Sequence, residues 1–559
     1  MQFIIKTGWF FLFIPYLSIS QSTYLPQGNK HQVFLDRLEI MIQNNPDLNL
    51  STVKPHDRKA AINAALFADS INVINNKLSI SDRYNLISTL MSSSEWLNEE
   101  RVEFSSKKNI WNTFYKTKAN LLEINERDFF LAVNPVIQQQ QSIESNNDQR
   151  IFLNSKGLTF RGLIARRLGF SGYLTDNQER GPLFTQERIT NSSAVPGVGF
   201  YKRFKQTGVD YFDARGSIHF NAAKYLQFQF GYDKLFIGNG YRSLLLSDFG
   251  NSFLFLRINT RIWKINYQNI FSELIPQYKK DGIDDLLDKK YSSMHHLSMN
   301  VTKWLNLGIF ETVIFGRKNR FEFSYLNPVI FLRAAEQQNG SSDNAIVGFD
   351  FKANIAKRAQ LYGQLVLDEF LLKELKSGNG WWGNKFGMQL GGKYIDLLKI
   401  KNLDIQGELN LVRPFTYSHK DSVANYTHYN QPLAHPFGAN FIEVIGIIRY
   451  QPFPKWSGSL RVIGWKQGID TGQKNYGGDI FKSNTTRDGD FGFTLPSGVE
   501  AKGVNVQFLL SYELRENLFV DLSAMIRNYR KNDVQNTNKK SSLITVAFRW
   551  NMFRREYDY

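Results

Sequence analysis

The sequence of 559 residues contains no cysteine. Without cysteine the chain has no disulfide framework, no thiol nucleophile and no cysteine for lipid attachment. Beyond its first residues it also lacks any uninterrupted apolar stretch of the roughly 20 residues that a membrane-spanning helix needs. These absences argue against a disulfide-stabilised domain, a thiol-dependent enzyme, a lipoprotein and a helical membrane protein.

Catalytic and cofactor-binding motifs are absent as well. The chain has no nucleophile elbow, phosphate-binding loop or zinc signature, and the triplet Gly238–Gly240 lacks the further glycine and the helix of a dinucleotide site. His295 and His296 are adjacent, and neighbouring side chains on a strand point to opposite faces, so we expect no shared metal ion. The same geometry separates Asp368 from Glu369 as a pair of glycosidase carboxylates. We therefore expect no enzymatic activity, no metal and no cofactor.

Aromatic residues, by contrast, are abundant. They make up 14% of the chain, yet the mean hydropathy is only −0.35, which is typical of alternating apolar and polar residues. The formal net charge is +17 and the pI is about 9.5. This charge suits an acidic ligand, although basic barrel lumens and rims that face lipopolysaccharide explain it equally well. We expect no nucleic-acid partner.

The N-terminus reads as an export signal. Lys6 precedes an apolar run from Trp9 to Leu17, and the small residues of Ser18–Ser20 have the spacing of a cleavage site. We expect a signal peptide over residues 1–20, so that the mature chain begins at Gln21.

Residues 21–128 have a mostly helical pattern. Lys59–Asn76 reads as an alanine-rich helix, and Ser79 with Asp82 resembles a capping box that opens a helix over Ile80–Ser93. Because this region directly follows the export signal, we expect a small periplasmic domain.

From residue 129 to residue 559 the pattern changes to period two, as in Leu403–Leu411, where apolar and polar side chains alternate. Such alternation, with turn residues between the segments, predicts eighteen strands, at about 129–137, 157–166, 167–178, 211–221, 224–233, 251–261, 262–274, 293–303, 304–316, 344–356, 358–370, 383–396, 401–416, 438–452, 455–468, 502–514, 516–530 and 541–553.

The connections between these strands alternate in length. Tight turns such as Asn221–Lys224 and Arg515–Asn517 join the hairpins, whereas the longest connections span 179–210, 317–343 and 469–501. Bacterial outer-membrane barrels have short periplasmic turns and long outer loops. Closure also removes the two exposed edges of so large a sheet, which favours a barrel over a soluble β-repeat array or propeller. The sequence thus predicts an all-β transmembrane fold, an antiparallel outer-membrane β-barrel of about 18 strands with both ends in the periplasm.

Three segments set aromatic rings beside hydrogen-bonding side chains: residues 232–242, Trp381–Trp382 and 428–436. A sugar has an apolar face and a polar rim, so these residue types suit a glycan, and arginine suits its carboxylates or phosphates. The alternative is that these residues pack the mouth of the barrel. The candidate glycan-binding residues are Asn239, Tyr241, Arg242, Trp381, Trp382, His428, Tyr429, Asn430, Gln431 and His435.

Stretches of the strand region carry a family resemblance. They are YDKLFIGNGYRSLLLSD at 232–248, YLNPVIF at 325–331, SDNAIVGFDFKANI at 342–355, YGQLVLDEF at 362–370, and VRPFTYSH followed by HYNQPLAHPFGANF from Val412 to Phe441. In these stretches the chain resembles the capsule-assembly Wzi family, in the form found in Bacteroidetes-type sequences.

The resemblance implies an outer-membrane barrel with a helical periplasmic domain that holds or organises capsular polysaccharide at the cell surface. Its partners would be that polysaccharide, outer-membrane lipid and lipopolysaccharide. Similar sequences also resemble RemB-like proteins linked to gliding motility, so a motility or adhesion role is the alternative. A diffusion channel or transporter is a second alternative, suggested by the lumen-facing residues Asp404, Gln406 and Glu408.

Overall fold

The computed structural model describes residues 22–75, 78–97, 102–107, 111, 113–278, 286–329, 331–340, 342–472 and 474–559. The signal peptide predicted over residues 1–20 lies outside the described residues.

Eighteen antiparallel strands close into one barrel, in which each strand pairs with its neighbours in sequence and the last pairs with the first. They are β1 (Phe129–Glu144), β2 (Asn147–Ile164), β3 (Leu168–Arg180), β4 (Gly208–Ala223), β5 (Leu226–Asp233), β6 (Phe253–Ile262), β7 (Ile265–Leu274), β8 (Lys290–Asn300), β9 (Leu305–Phe315), β10 (Asn344–Ile355), β11 (Ala359–Glu369), β12 (Lys385–Tyr394), β13 (Leu403–Val412), β14 (Phe441–Phe453), β15 (Trp456–Ile469), β16 (Val499–Arg515), β17 (Leu518–Lys531) and β18 (Asn538–Trp550). The predicted antiparallel barrel and its eighteen strands are confirmed.

Side chains alternate between the two faces of the wall. On β13 the polar residues Gln406, Glu408 and Asn410 are buried inside, whereas Ile405 and Leu409 are exposed outside. An apolar outer face and a polar inner face are what a barrel in lipid requires.

The connections fall into two classes at opposite ends of the barrel. At one end, the turn end, the strands are joined by short connections at 165–167, 224–225, 263–264, 301–304, 356–358, 395–402, 454–455 and 516–517. At the other, the loop end, they are joined by 145–146, 181–207, 234–252, 275–289, 316–343, 370–384, 413–440, 470–498 and 532–537. The connections at the loop end contain the last three helices of the chain, α5 (Leu183–Ser192), α6 (Leu332–Gln338) and α7 (Leu372–Ser377).

The first hairpin is longer than the sequence pattern predicts. Strands expected over 129–137 and 157–166 run on to Glu144 and begin at Asn147. The intervening run Gln138–Gln141 has no apolar alternation, so it carries no period-two signal. Cross-strand hydrogen bonds hold it in the sheet all the same.

Four helices precede the barrel: α1 (Lys30–Ile42), α2 (Pro46–Asn49), α3 (Arg58–Asn75) and α4 (Ile80–Met91). The predicted capping box is present, because Asp82 N donates to Ser79 Oγ at 2.9 Å and Ser79 N donates to the Asp82 carboxylate at 3.2 Å. Within the described residues, no helix combines the length and apolar character needed to cross a membrane.

This helical region closes the turn end through buried ion pairs. The Arg37 guanidinium lies 2.8 Å from Asp82, 2.6 Å from Asp396 and 2.5 Å from Asp404, so one side chain joins α1, α4 and the wall. Lys352 of β10 lies 2.8 Å from Glu39 of α1. Isolated buried charges would be costly, and these pairings therefore fix the helices in one position.

Candidate functional site

Three stretches of the chain fold into the lumen. We call them the lumen segment (234–252), the folded loop (413–440) and the returning segment (551–559). Phe236–Ile237 of the lumen segment pairs with Val53–Lys54 of the helical region. The lumen segment and the folded loop share a buried apolar core with inward-facing wall residues.

The polar wall residues that suggested a channel are occupied by protein contacts, and Glu408 binds the lumen segment. The Glu408 carboxylate accepts hydrogen bonds from Tyr241 N at 2.6 Å, Arg242 N at 3.0 Å and the Tyr362 hydroxyl at 2.9 Å. Gln406 donates to the same hydroxyl at 2.9 Å. The inner face of β13 therefore contacts protein where an open pore would present it to water.

Arg242 lies at the centre of a charged cluster inside the barrel. Its guanidinium donates to the Asp558 carbonyl at 2.6 Å and lies 3.3 Å from the Asp558 carboxylate and 3.7 Å from Glu443. The other oxygen of Glu443 lies 2.7 Å from His435 Nε2, and the Tyr241 hydroxyl donates to Asp558. The cluster joins the lumen segment, the folded loop, the returning segment and the wall.

His428 fastens the folded loop to the barrel rim. Its Nδ1 accepts from Ile275 N at 2.9 Å and its Nε2 donates to Ser252 O at 3.0 Å, so the ring is neutral. Burial lowers the pKa of His428 to about 3, consistent with that neutral state. The Tyr429 ring packs edge-on against it.

Asn430 and Gln431 join the folded loop to two other loops. Asn430 donates to Ser192 O at 2.9 Å and to Tyr278 O at 2.8 Å, and accepts from Tyr278 N at 3.0 Å. Gln431 accepts from Gly197 N at 2.8 Å. These amides fix the positions of loops at the loop end.

Trp382 lines a separate recess of about 360 Å³ at the loop end. The Arg487 guanidinium lies 4.0 Å from the centre of the Trp382 ring, and Trp381 packs beside it with ring centres 6.0 Å apart. This recess places an indole and a cation together. Its volume is less than a third of that of a second cavity at the loop end, a cleft of about 1170 Å³.

In the same recess the expected separation of Asp368 from Glu369 is wrong. The strand register shifts between Leu367 and Glu369, and both carboxylates lie 3.2 Å from Lys385 Nζ. The bulge brings the two side chains to one cation, which strict alternation would have prevented.

The largest cavity described is a cleft of about 1170 Å³ at the loop end. Its lining combines aromatic rings with charged and amide side chains from distant parts of the chain. The aromatic lining residues are Phe184, Tyr278, Phe437, Trp465, Phe481, Tyr529 and Tyr559. The charged ones are Glu144, Glu187, Arg188, Asp479, Arg527, Lys539 and Lys540.

Aromatic rings and cations pack closely in this cleft. The Arg527 guanidinium lies 4.5 Å from the centre of the Phe184 ring and 4.9 Å from that of Trp465. Arg188 lies 4.9 Å from the centre of the Tyr559 ring. Such stacking holds planar side chains in fixed orientations and leaves their edges for hydrogen bonds.

The candidates from the sequence divide by position. Asn430 and Gln431 line the cleft, and Trp382 with its neighbour Trp381 lies at the recess. Most of the other candidates are surrounded by protein, which is the packing role that the sequence analysis gave as the alternative to glycan binding. Those buried or half-buried at the lumen and rim are Asn239, Tyr241, Arg242, His428, Tyr429 and His435.

Sequence reasoning missed the aromatic lining of the cleft. Phe184, Trp465, Phe481 and Tyr529 come from four separate regions, and no short motif joins them. Trp465, Phe481 and Tyr529 come from β15, the loop that follows it and β17, and closure of the barrel between β18 and β1 brings Phe184 of α5 to them.

No family model and no curated protein matches this chain. Among solved structures it is similar to Wzi of Escherichia coli, described as an outer-membrane protein involved in group 1 capsule assembly and as a carbohydrate-binding β-barrel. The TM-score is 0.54 at 14% identity, over 94% of this chain and 99% of that one.

Two Pseudomonas aeruginosa barrels are more distant. OprD matches with a TM-score of 0.40 at 10% identity, over 76% of this chain and 94% of its own. OccK8 (OprE) matches with a TM-score of 0.41 at 10% identity, over 75% and 97%. Together with the closed sheet, the likeness to Wzi shows that this chain has the fold of an outer-membrane β-barrel.

Proposed function

We propose that this protein binds capsular or other extracellular polysaccharide at the cell surface, without enzymatic activity, and that the glycan lies in the loop-end cleft. The observation that supports this proposal most strongly is the aromatic and polar lining of that cleft. In this proposal the turn end and its helices face the periplasm and the loop end faces outward, the usual orientation of bacterial barrels.

The size of the cleft favours a polymer segment over a small ligand. Pockets for small molecules are typically about 300–1,000 Å³, and this cleft holds about 1170 Å³. Aromatic faces can stack on the apolar faces of sugar rings while amides and charges at the rim bind their hydroxyl groups. The cleft therefore suits several linked sugars.

The cations of the cleft favour acidic groups on that glycan. Lys539 is paired with Glu187 at 2.8 Å, whereas Arg188 and Arg527 rest on aromatic rings. Arg188 also donates to Pro436 O at 2.8 Å, and Arg527 Nη1 donates to Asn505 Oδ1 and Tyr559 O. In this proposal the remaining N–H groups of each guanidinium bind a carboxylate of the glycan. A polymer with uronic acid or similar carboxylates matches this arrangement.

The filled lumen supports a scaffold over a channel. An open pore needs a continuous polar passage, but the lumen segment, the folded loop and the returning segment occupy the interior. The helices at the turn end add a second closure. The polar inner wall thus serves to hold these segments.

A cell experiment tests the role. Cells that lack the protein are complemented with the wild type, with the Phe481→Ala/Tyr529→Ala double variant, or with Phe491→Ala, an exposed aromatic of the same loop region outside the cleft. We expect the wild type and Phe491→Ala to keep polysaccharide on the cell and the double variant to release it. Unchanged attachment in cells lacking the protein would refute the proposal, and loss of spreading on agar alone would favour the motility alternative.

A further inference from the structure

The long loop between β9 and β10 folds back over the outside of the barrel. We call its described residues 317–329 and 331–340 the strap. The Ser293 hydroxyl of β8 donates to Tyr325 O at 2.8 Å, and the Tyr267 hydroxyl of β7 donates to Pro328 O at 2.8 Å. The Tyr325 side chain is fully buried against β8 and β9. The sequence predicted a long connection over 317–343, and in the structure its described residues lie along the wall.

Beneath the strap lies a polar row on the outward face. Asn269, His295 and Glu311 are register partners on β7, β8 and β9. Glu311 shares its face of β9 with Leu307 and Ile309, which are exposed on the outside. His295 nevertheless has 0% and Glu311 5% of its surface exposed. The strap therefore covers polar groups at positions that lipid would otherwise contact.

The strap also satisfies the carboxylate of Glu311 in this row. His295 Nδ1 lies 2.8 Å from Glu311 Oε1. The Glu311 carboxylate accepts from Phe331 N at 2.5 Å and from Leu332 N at 2.8 Å. A carboxylate facing hydrocarbon is costly unless it is paired, and here two strap amides and one imidazole surround it.

The polar row lies well below the loop end of the wall. Glu311 is four residues from Phe315, the last residue of β9, which is roughly 10 Å along the barrel axis for a rise of about 3.4 Å per residue and a tilt of about 40°. The apolar band of such barrels is about 25 Å tall. The covered row therefore falls within the outer half of that band if β9 spans it.

The middle of the strap exposes large apolar side chains, and the exposed charged residues Lys318, Arg320 and Arg333 lie on either side of them in the sequence. The exposed fractions of Phe323, Val329 and Phe331 are 77%, 60% and 71%. Phe331 N binds Glu311, which is on the same outward face of β9 as the exposed Leu307 and Ile309, so this stretch lies on the outer side of the wall. A loop in water would instead favour polar residues at its most exposed positions.

We propose that the strap lies within the outer leaflet, where Phe323, Val329 and Phe331 contact the acyl chains of membrane lipid and the strap backbone shields the His295–Glu311 pair. The position of the strap over the outward face of β9, where a barrel wall meets lipid, identifies the occupant as lipid. This inference does not depend on the glycan proposal.

The absence of cysteine allows a direct test. Val329→Cys and, separately, Phe323→Cys are labelled with the fluorophore NBD, and the protein is placed in phospholipid nanodiscs with or without bromine on the acyl chains. Phe491→Cys, at an exposed aromatic of another loop, is the matched control. We expect brominated lipid to quench both strap labels at least twofold, and aqueous iodide to quench only the control.

Two results would overturn the proposal. If iodide quenches the strap labels as strongly as the control, the strap is in water. If neither quencher reaches the strap labels, then protein, such as a second copy of the chain, covers the strap and lipid does not.

Discussion

Replacing Arg242 with methionine should loosen the interior of the barrel. Methionine keeps most of the side-chain length but removes the guanidinium that joins Asp558 to Glu443. Breaking a buried ion pair by removing one partner costs about 3–5 kcal/mol. Here Asp558 keeps the Tyr241 hydroxyl and Glu443 keeps His435, so we expect the lower value, about 3 kcal/mol of unfolding free energy.

Urea titration of the lipid-reconstituted protein measures this change. Arg203→Met, at an exposed position of the short strand Lys202–Phe204, is the matched control, and its unfolding free energy should change by less than about 0.5 kcal/mol. Arg242→Lys should be intermediate, because lysine keeps the charge and loses the forked contacts. Equal unfolding free energies for Arg242→Met and the control would refute our inference that this cluster holds the lumen segment, the folded loop and the returning segment to the wall.

A local readout separates loosening of the returning segment from global destabilisation. Arg554 and Arg555 are trypsin sites in that segment, and Arg555 lies 3.2 Å from Glu179. Brief digestion under native conditions should spare these sites in the wild type and cut them in Arg242→Met. Protection in both proteins would mean that other contacts are enough to hold the segment.

Two further predictions concern the folded loop and the lumen. Because burial lowers the pKa of His428 from about 6.5 to about 3, only the unfolded chain gains a proton between these values, so the unfolding free energy falls as the pH drops. Between pH 7 and pH 5 the wild type should lose about 2 kcal/mol more than His428→Gln, as measured by urea titration, and equal losses would contradict the neutral buried ring. In planar bilayers the wild type should give no steady ion current, since three segments fill the lumen, and a sustained porin-like conductance would contradict that packing.

The wall was predictable from sequence because its signal is local. On β13 Ile405 and Leu409, which the alternation placed outside, are exposed to the exterior. The short turns between strands then indicated which strands pair as hairpins. The pattern failed where local alternation stops, at the glutamine run of the first hairpin and at the bulge beside Asp368.

The interior and the cleft were not predictable in the same way. Glu408 has the residue type of a channel lining, and only the folded chain reveals that Tyr241 N and Arg242 N bind it. The cleft similarly joins α5 with β15 and β17 across the barrel mouth. Such contacts depend on long-range closure, so no window of sequence encodes them.

Binding of polysaccharide to the purified protein tests the central claim most directly. Nanodisc-embedded protein is titrated with surface polysaccharide extracted from the cells that produce it, and the dissociation constant is compared among the wild type, Phe481→Ala, Tyr529→Ala and Phe491→Ala. We expect each cleft variant to bind about tenfold more weakly, equivalent to about 1.4 kcal/mol, and Phe491→Ala to match the wild type. No binding by the wild type, or one affinity for all four proteins, would contradict a glycan site in the loop-end cleft.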